Sequence, residues 1–236
     1  DLSITRYSSD GTIDLAFGIG GTVITDFGSN EAGITAGFQS DGKIIIGGLT
    51  RDNNGSDYLL VRFNYNGTVD PTFGNGGFVK LNSANEDQVQ SIKVEADGKI
   101  VFSGITIEFP TDISSFSIYG VIGRLNSNGT LDTNFGTNGL TTITGNGLNS
   151  VGDFVIQNDF KIVFTRTEQN PSLNSQQIFV SRLNNDGIPD NSFLQSGIVT
   201  SYSYNLIQQP DGKIINVGYN FNEKNNTDYF LSRINP

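Results

Sequence analysis

Apolar and polar residues alternate along most of this chain in short runs. The clearest are "TVITDF" from Thr22, "FVKLNS" from Phe78, "LTTITG" from Leu140 and "IVTSYS" from Ile198. A period of two is the signature of a half-buried strand, and no segment sustains the 3.6-residue period of a helix. A second run in each case ends at Gln or Glu: "ITAGFQ", "IKVE", "FVIQ" and "LIQQ". Next come "SDGKIII" at 40, "ADGKIVF" at 96, "NDFKIVF" at 158 and "PDGKIIN" at 210. Asp-Gly predicts a two-residue, positive-φ hairpin turn leading into a third strand. Phe160 replaces the turn glycine in the third copy. The fourth strand is "DYLLVRFN" at 57, "IYGVIGRLN" at 118, "QIFVSRLN" at 177 and "DYFLSRIN" at 228.

These runs keep phase with an arginine at Arg6, Arg62, Arg124, Arg182 and Arg233, at intervals of 56, 62, 58 and 51 residues. Four antiparallel strands per unit, repeated in tandem, predict an all-β fold, a β-propeller of four-stranded antiparallel blades. The expectation is a single domain over 1–236 with repeats at 6–61, 62–123, 124–181 and 182–232. A β-sandwich is the competing architecture, but it does not require one strand pattern to recur in phase. The chain begins ("DLSITRYS") and ends ("DYFLSRINP") in the fourth-strand phase. That suggests a segment of a longer array, or a small ring with a spare strand.

Each arginine opens a motif, best seen in "RFNYNGTVDPTFGNGG" at 62–77 and "RLNSNGTLDTNFGTNG" from Arg124. Asn66-Gly67 and Asn128-Gly129 are turn residues by chemistry, tolerant of left-handed backbone. Asp70 and Asp132 are placed to accept backbone N–H bonds and cap a short turn. That turn leads to Phe73 and Phe135, whose rings are expected to wedge between neighbouring blades. Arg62 and Arg124 are expected to pair with a motif aspartate, so all six residues read as scaffold. A dinucleotide loop is excluded, because strands and not a helix follow the glycines. The pattern N-x-[DN]-G-x-x-D-x-x-F-G-x-x-G followed by D-G-K-I resembles the bacterial delta-sixty repeat, a β-propeller repeat of unknown function. The resemblance covers nearly the whole chain, although Leu194 replaces the motif glycine in the fourth unit. It implies an exported bacterial protein: periplasmic, cell-surface or extracellular.

Composition narrows the chemistry. The net charge is −10, and nine of the 14 Lys and Arg residues occupy repeat slots. Arg51, Lys80, Lys93, Arg166 and Lys224 remain and form no cluster in sequence, so no nucleic-acid partner is expected. His and Cys are absent, which excludes a Ser-His-Asp triad, disulfides and thiolate zinc sites. No apolar run reaches the length of a membrane-spanning helix. No leader precedes Asp1, so a targeting peptide was removed or the sequence is a fragment.

Function is expected in loops that break the repeat. The largest departure, "ITIEFPTDISSFSIYG" at 105–120, carries Phe109, Ile113, Phe116 and Tyr119 as partner-binding candidates. Glu31, Glu86 and Asp87 are expected on one rim, and Tyr202, Tyr204 and Tyr219 on a face able to stack a sugar. "DNNGSD" offers Asp52, Asn54 and Asp57 as a weak calcium candidate, and no other cofactor is expected. Together these predict a non-catalytic scaffold, not an enzyme, presenting its irregular face to another protein of a bacterial envelope or secretion assembly. The alternatives are a carbohydrate-binding surface module and a carboxylate-based glycan-active enzyme.

Overall fold

The computed structural model describes residues 1–82, 85–109, 116–144, 149–170, 175–193, 202–221 and 227–235. Among them there is no helix. Sixteen strands follow in order. The first ten are β1 (Leu2–Thr5), β2 (Thr22–Thr25), β3 (Asn30–Phe38), β4 (Ile44–Asp52), β5 (Gly55–Phe63), β6 (Phe78–Leu81), β7 (Glu86–Val94), β8 (Ile100–Glu108), β9 (Ser117–Leu125) and β10 (Leu140–Ile143). The remainder are β11 (Val151–Ile156), β12 (Ile162–Asn170), β13 (Ser175–Leu183), β14 (Tyr202–Gln208), β15 (Ile214–Phe221) and β16 (Thr227–Ile234). They form five sheets in chain order: β1-β2, β3-β4-β5-β6, β7-β8-β9-β10, β11-β12-β13 and β14-β15-β16. Every strand pair with a defined register is antiparallel. The strand expected at "IVTSYS" is only partly described: 198–201 lie outside the described residues, and Tyr202 and Ser203 begin β14.

The chain divides into two compact units, Asp1–Phe102 with Leu125–Leu131, and Ser103–Arg124 with Asp132–Pro236. The first has a core of Leu2, Phe17, Ile44, Ile46, Leu59, Val61 and Phe63. Antiparallel register sets Ile44 opposite Phe63 and Ile46 opposite Val61, so cross-strand pairs build that core. Val155, Val163, Val180, Phe193, Leu206, Ile214 and Ile234 form a core in the second. The first strands of three sheets carry a register shift at one equivalent place, beginning at Gly33, Val151 and Ser203. In each case the shift starts eight residues before the hairpin aspartate.

The Asp-Gly hairpins differ from the two-residue turn expected of them. Gly42 donates its N–H to the Gln39 carbonyl, and Gln39 donates to Lys43 O, both at 2.9 Å. Gly42 has φ of +82° while Asp41 keeps a negative φ, so only one left-handed residue is needed. The loop is therefore one residue longer, a turn closed by a glycine bulge. At the equivalent position Phe160 adopts φ of +62°.

The arginine motifs form one construction repeated four times. The Arg6–Asp14, Arg62–Asp70, Arg124–Asp132 and Arg182–Asp190 ion pairs are 2.8, 2.9, 2.8 and 2.8 Å apart. Each guanidinium also lies over the motif ring: 4.6 Å from the centroid of Phe17, 4.7 Å from Phe73, 4.7 Å from Phe135 and 4.3 Å from Phe193. The second oxygen of each aspartate accepts the N–H two residues on, from Ala16, Thr72, Asn134 and Ser192. One motif then meets the next. Gly18, Gly74 and Gly136 donate their N–H to the Asn66, Asn128 and Asp186 carbonyls. The rings of Phe17, Phe73 and Phe135 lie under Gly67, Gly129 and Gly187. A Cβ on Gly129 would stand 2.7 Å from Gly74 N and 3.0 Å from the Phe73 ring, so glycine is required for space as well as for its φ of +90°.

The hairpins are tied to these motifs by the residues at their ends. Lys43 Nζ lies 3.3 Å from both Asp41 and Asp70, and Lys161 lies 3.5 Å from Asp159 and 3.8 Å from Asp190. Gln39 and Gln157 accept from the Arg62 and Arg182 guanidinium groups. This accounts for Gln39 and Gln157 before their hairpins and for Lys43 and Lys161 after them. Burial works to raise the Asp70 carboxyl pKa. Hydrogen bonds from the Thr72 hydroxyl and N–H outweigh it and, with the charges of Arg62 and Lys43, hold the pKa down at about 2.

Candidate functional site

The other end of the β4–β5 hairpin is built differently. Asp52 pairs with Gly55 across the turn, and the Asp52 carboxylate accepts the Asn54 N–H at 2.7 Å, fixing the loop. Glu86, the first residue of β7, accepts from Arg51 Nη2 at 2.9 Å and from the Ser56 hydroxyl at 2.6 Å. Lys80 on β6 places its ammonium 2.7 Å from Asp57 and 3.6 Å from Asp52. The hydrogen bond to Asp57, aided by the charges of Asp57 and Asp52, raises the Lys80 pKa above its usual value. Beside this pair Asp52, Asn54, Gly55, Asp57, Asn82 and Asn85 line a cavity of about 140 Å³. Its wall holds carboxylates, which only accept, and carboxamides, which both donate and accept.

The three calcium candidates, Asp52, Asn54 and Asp57, thus come together on one wall, with the Lys80 ammonium on the two carboxylates. Sequence reasoning passed over Arg51 and Lys80 as scattered cations. The signal was available, because both stand outside the repeat slots. Of the residues expected on one rim, Glu86 is half-buried, whereas the Glu31 side chain is fully enclosed and Asp87 is 0% exposed. Placing Asp87 on a rim is corrected by that burial: β7 alternates, turning Asp87 inward where Glu86 faces outward.

The loop candidates are only partly described. Phe109 and Phe116 are both more than half exposed with ring centroids 6.5 Å apart, and Tyr119 is half-buried. Ile113 lies outside the described residues. Tyr202 stands opposite Tyr219, and Tyr219 opposite Tyr229, so register aligns three tyrosine positions across β14-β15-β16. Tyr219 is half-buried, and the side chain of Tyr204 lies outside the described residues, as does that of Tyr202.

Comparison with known proteins follows the repeat. Residues 39–73, 120–135 and 209–236 match the family described as "Domain of unknown function (DUF5122) beta-propeller". These segments cover about a third of the chain and contain most of the Arg62 and Arg124 motifs, as far as Phe73 and Phe135, and the last hairpin. The match supports a β-propeller repeat family of unknown function. No curated protein matches the chain. Among solved structures, it is similar to a mannose phosphorylase from Leishmania mexicana in complex with phosphate ion, at 15% identity and a TM-score of 0.40, covering 87% of this chain and 67% of that one. An endo-arabinase from Bacteroides thetaiotaomicron aligns at 9% identity and a TM-score of 0.39, covering 86% and 78%. An exo-1,5-alpha-L-arabinanase from a bovine ruminal metagenomic library aligns at 8% identity and a TM-score of 0.26, covering 90% and 96%.

These findings correct one expectation. A non-catalytic scaffold that presents loops to a protein partner, with no enzyme activity, conflicts with structural neighbours that are a mannose phosphorylase, an endo-arabinase and an arabinanase. At such TM-scores the likeness gives this chain neither their activities nor their substrates.

Proposed function

We propose that the acidic end of the first unit recognises the hydroxyl groups of a glycan. The observation that carries this reading is the cavity lined by Asp52, Asn54, Gly55, Asp57, Asn82 and Asn85, with Lys80 beside it. A sugar hydroxyl both donates and accepts, and a wall of carboxylates and carboxamides with a neighbouring ammonium answers both roles. The same carboxylates repel phosphate, so an anionic polymer fits poorly. At about 140 Å³ the cavity is smaller than typical small-molecule pockets, which run to roughly 300–1,000 Å³. It would therefore seat one edge of a sugar and leave the rest of the polymer outside. Gly55 presents no side chain there. On the fold, the separate antiparallel sheets support a reading as propeller blades, and the repeat motif supports the delta-sixty class for them.

A glycan array, followed by titration of the best ligand, tests this reading. Binding should fall at least about tenfold in Asp57→Asn and Asn85→Ala, the loss of one or two hydrogen bonds to a sugar. Binding that both variants retain would refute the site. Release of new reducing ends from the bound glycan would make the same site catalytic.

A further inference from the structure

A second cluster of carboxylates lies at the join of β1, β2 and β3, apart from the Lys80 cavity. Leu2 pairs with Thr25, so the antiparallel register carries Asp1 across from Asp26. Glu31 enters from β3, and one carboxylate oxygen from each of Asp1, Asp26 and Glu31 lies within 4.8 Å of the others. Acidic groups gather on many surfaces without a ligand, and two of these three are exposed. Glu31 differs. Its side chain is 0% exposed, and its Oε2 has no hydrogen-bond partner. The nearest cation is the Asp1 α-amino group, 3.4 Å away. A carboxylate enclosed in this way is costly unless positive charge is brought to it.

Backbone N–H groups hold two of these carboxylates. Asp26 Oδ1 accepts the Gly28 N–H at 2.7 Å, and Glu31 Oε1 accepts the Ser29 N–H at 3.0 Å. Each bond uses one oxygen of its carboxylate and leaves the other outside that bond. Gly28, at φ of +90°, makes the tight connection that lets both bonds form within six residues.

We propose that Asp1, Asp26 and Glu31 bind a divalent cation of the calcium type. The donors are all oxygens, which excludes soft thiolate-seeking metals and favours a hard cation. Three carboxylates converge on one point, and water completes the larger coordination shell that calcium accepts and magnesium does not. The three carboxylates share no residue with the Lys80 cavity.

Calcium titration of the whole chain by calorimetry, paired with thermal melts in calcium, magnesium or chelator, is the test. Expected is a dissociation constant on the order of 10⁻⁴–10⁻³ M, as for sites with few protein ligands. Calcium should also raise the melting temperature, with a smaller rise in magnesium. Glu31→Gln should abolish both responses. Asp26→Asn, at an exposed position, should weaken calcium binding at least about tenfold even if Glu31→Gln folds poorly. Asp52→Asn should leave calcium binding unchanged. No heat and no shift at millimolar calcium would overturn the site, as would calcium binding that survives in Asp26→Asn or is lost in Asp52→Asn.

Discussion

At one end of the first unit, Arg62 and Asp70 form an ion pair whose side chains are each 5% exposed. At the other, Arg51 and Glu86 form a pair of equal length whose side chains are 58% and 29% exposed. The residue chemistry is the same, and the surroundings separate the two. Arg62 is stacked on Phe73, and its aspartate is also reached by Lys43 and Thr72. Removing one member there strands the others in a site with little water. Arg51 reaches out from a hairpin end, and solvent replaces whatever it loses. A pair repeated with the motif, and buried at Arg62 and Arg124, sets geometry, whereas an exposed pair outside the repeat leaves polar groups to solvent or a ligand.

The sharpest way to break the comparison is to make one substitution at both ends. Arg62→Gln should destabilise the protein by about 3–5 kcal/mol, the usual effect of removing one partner from a buried pair. Urea denaturation measures it. A loss no larger than an exposed pair produces would show that the motif pair is solvated and would remove the distinction.

Acid should act on the motif end next. With its pKa lowered from 3.8 to about 2, Asp70 binds its proton more weakly in the folded chain than in the unfolded one. Its contribution is complete above about pH 4 and disappears as the pH falls toward 2 and below. The shift corresponds to about 2 kcal/mol. Asp190, also held at about 2, first by the Ser192 hydroxyl, titrates in the same direction. Stability measured between pH 5 and 2 should therefore fall less steeply in Asp70→Asn than in the parent chain.

Much of the motif end was legible because its determinants are local. Asp70 caps a turn two residues on, and Phe73 and Arg62 stand at fixed offsets from it, so recurrence in the chain exposes the set. Strand alternation gave the sheets for the same reason. The hairpin turn was misjudged because Asp-Gly suits two geometries, and only backbone angles distinguish a left-handed pair from a lone left-handed glycine. At the acidic end, Arg51 meets Glu86 across 35 residues, and Lys80 meets Asp57 only through the β5–β6 pairing. Register of that kind depends on which faces are buried, and short edge strands such as β6 state it weakly. The enclosure of Glu31 was hidden too, since an acid at a strand start ordinarily faces water.

A smaller change should sharpen the motif end without breaking it. Phe160 holds φ of +62° where the matching hairpins have Gly42, Gly98 and Gly212 at +82°, +86° and +84°. A side chain there strains the backbone by roughly 1–2 kcal/mol. Phe160→Gly should relieve that strain, and once the loss of a half-buried ring and the greater freedom of unfolded glycine are subtracted the net gain should be no more than about 0.5 kcal/mol. A drop in the urea midpoint would mean that the ring packs more tightly than its half-buried position indicates.

The smallest effect belongs to Arg51→Gln. Exposed pairs contribute about 0–1 kcal/mol, and the Ser56 hydroxyl still donates to Glu86 when the guanidinium is gone. The urea midpoint should move little, and the little it moves should shrink further in high salt, because solvent-exposed charges are screened. Arg62→Gln should keep its cost in the same salt, since its partner has no water to turn to. If both variants lost stability equally, or lost salt dependence together, burial would not be what separates the two ends, and the acidic end would have to be regarded as a second piece of scaffold.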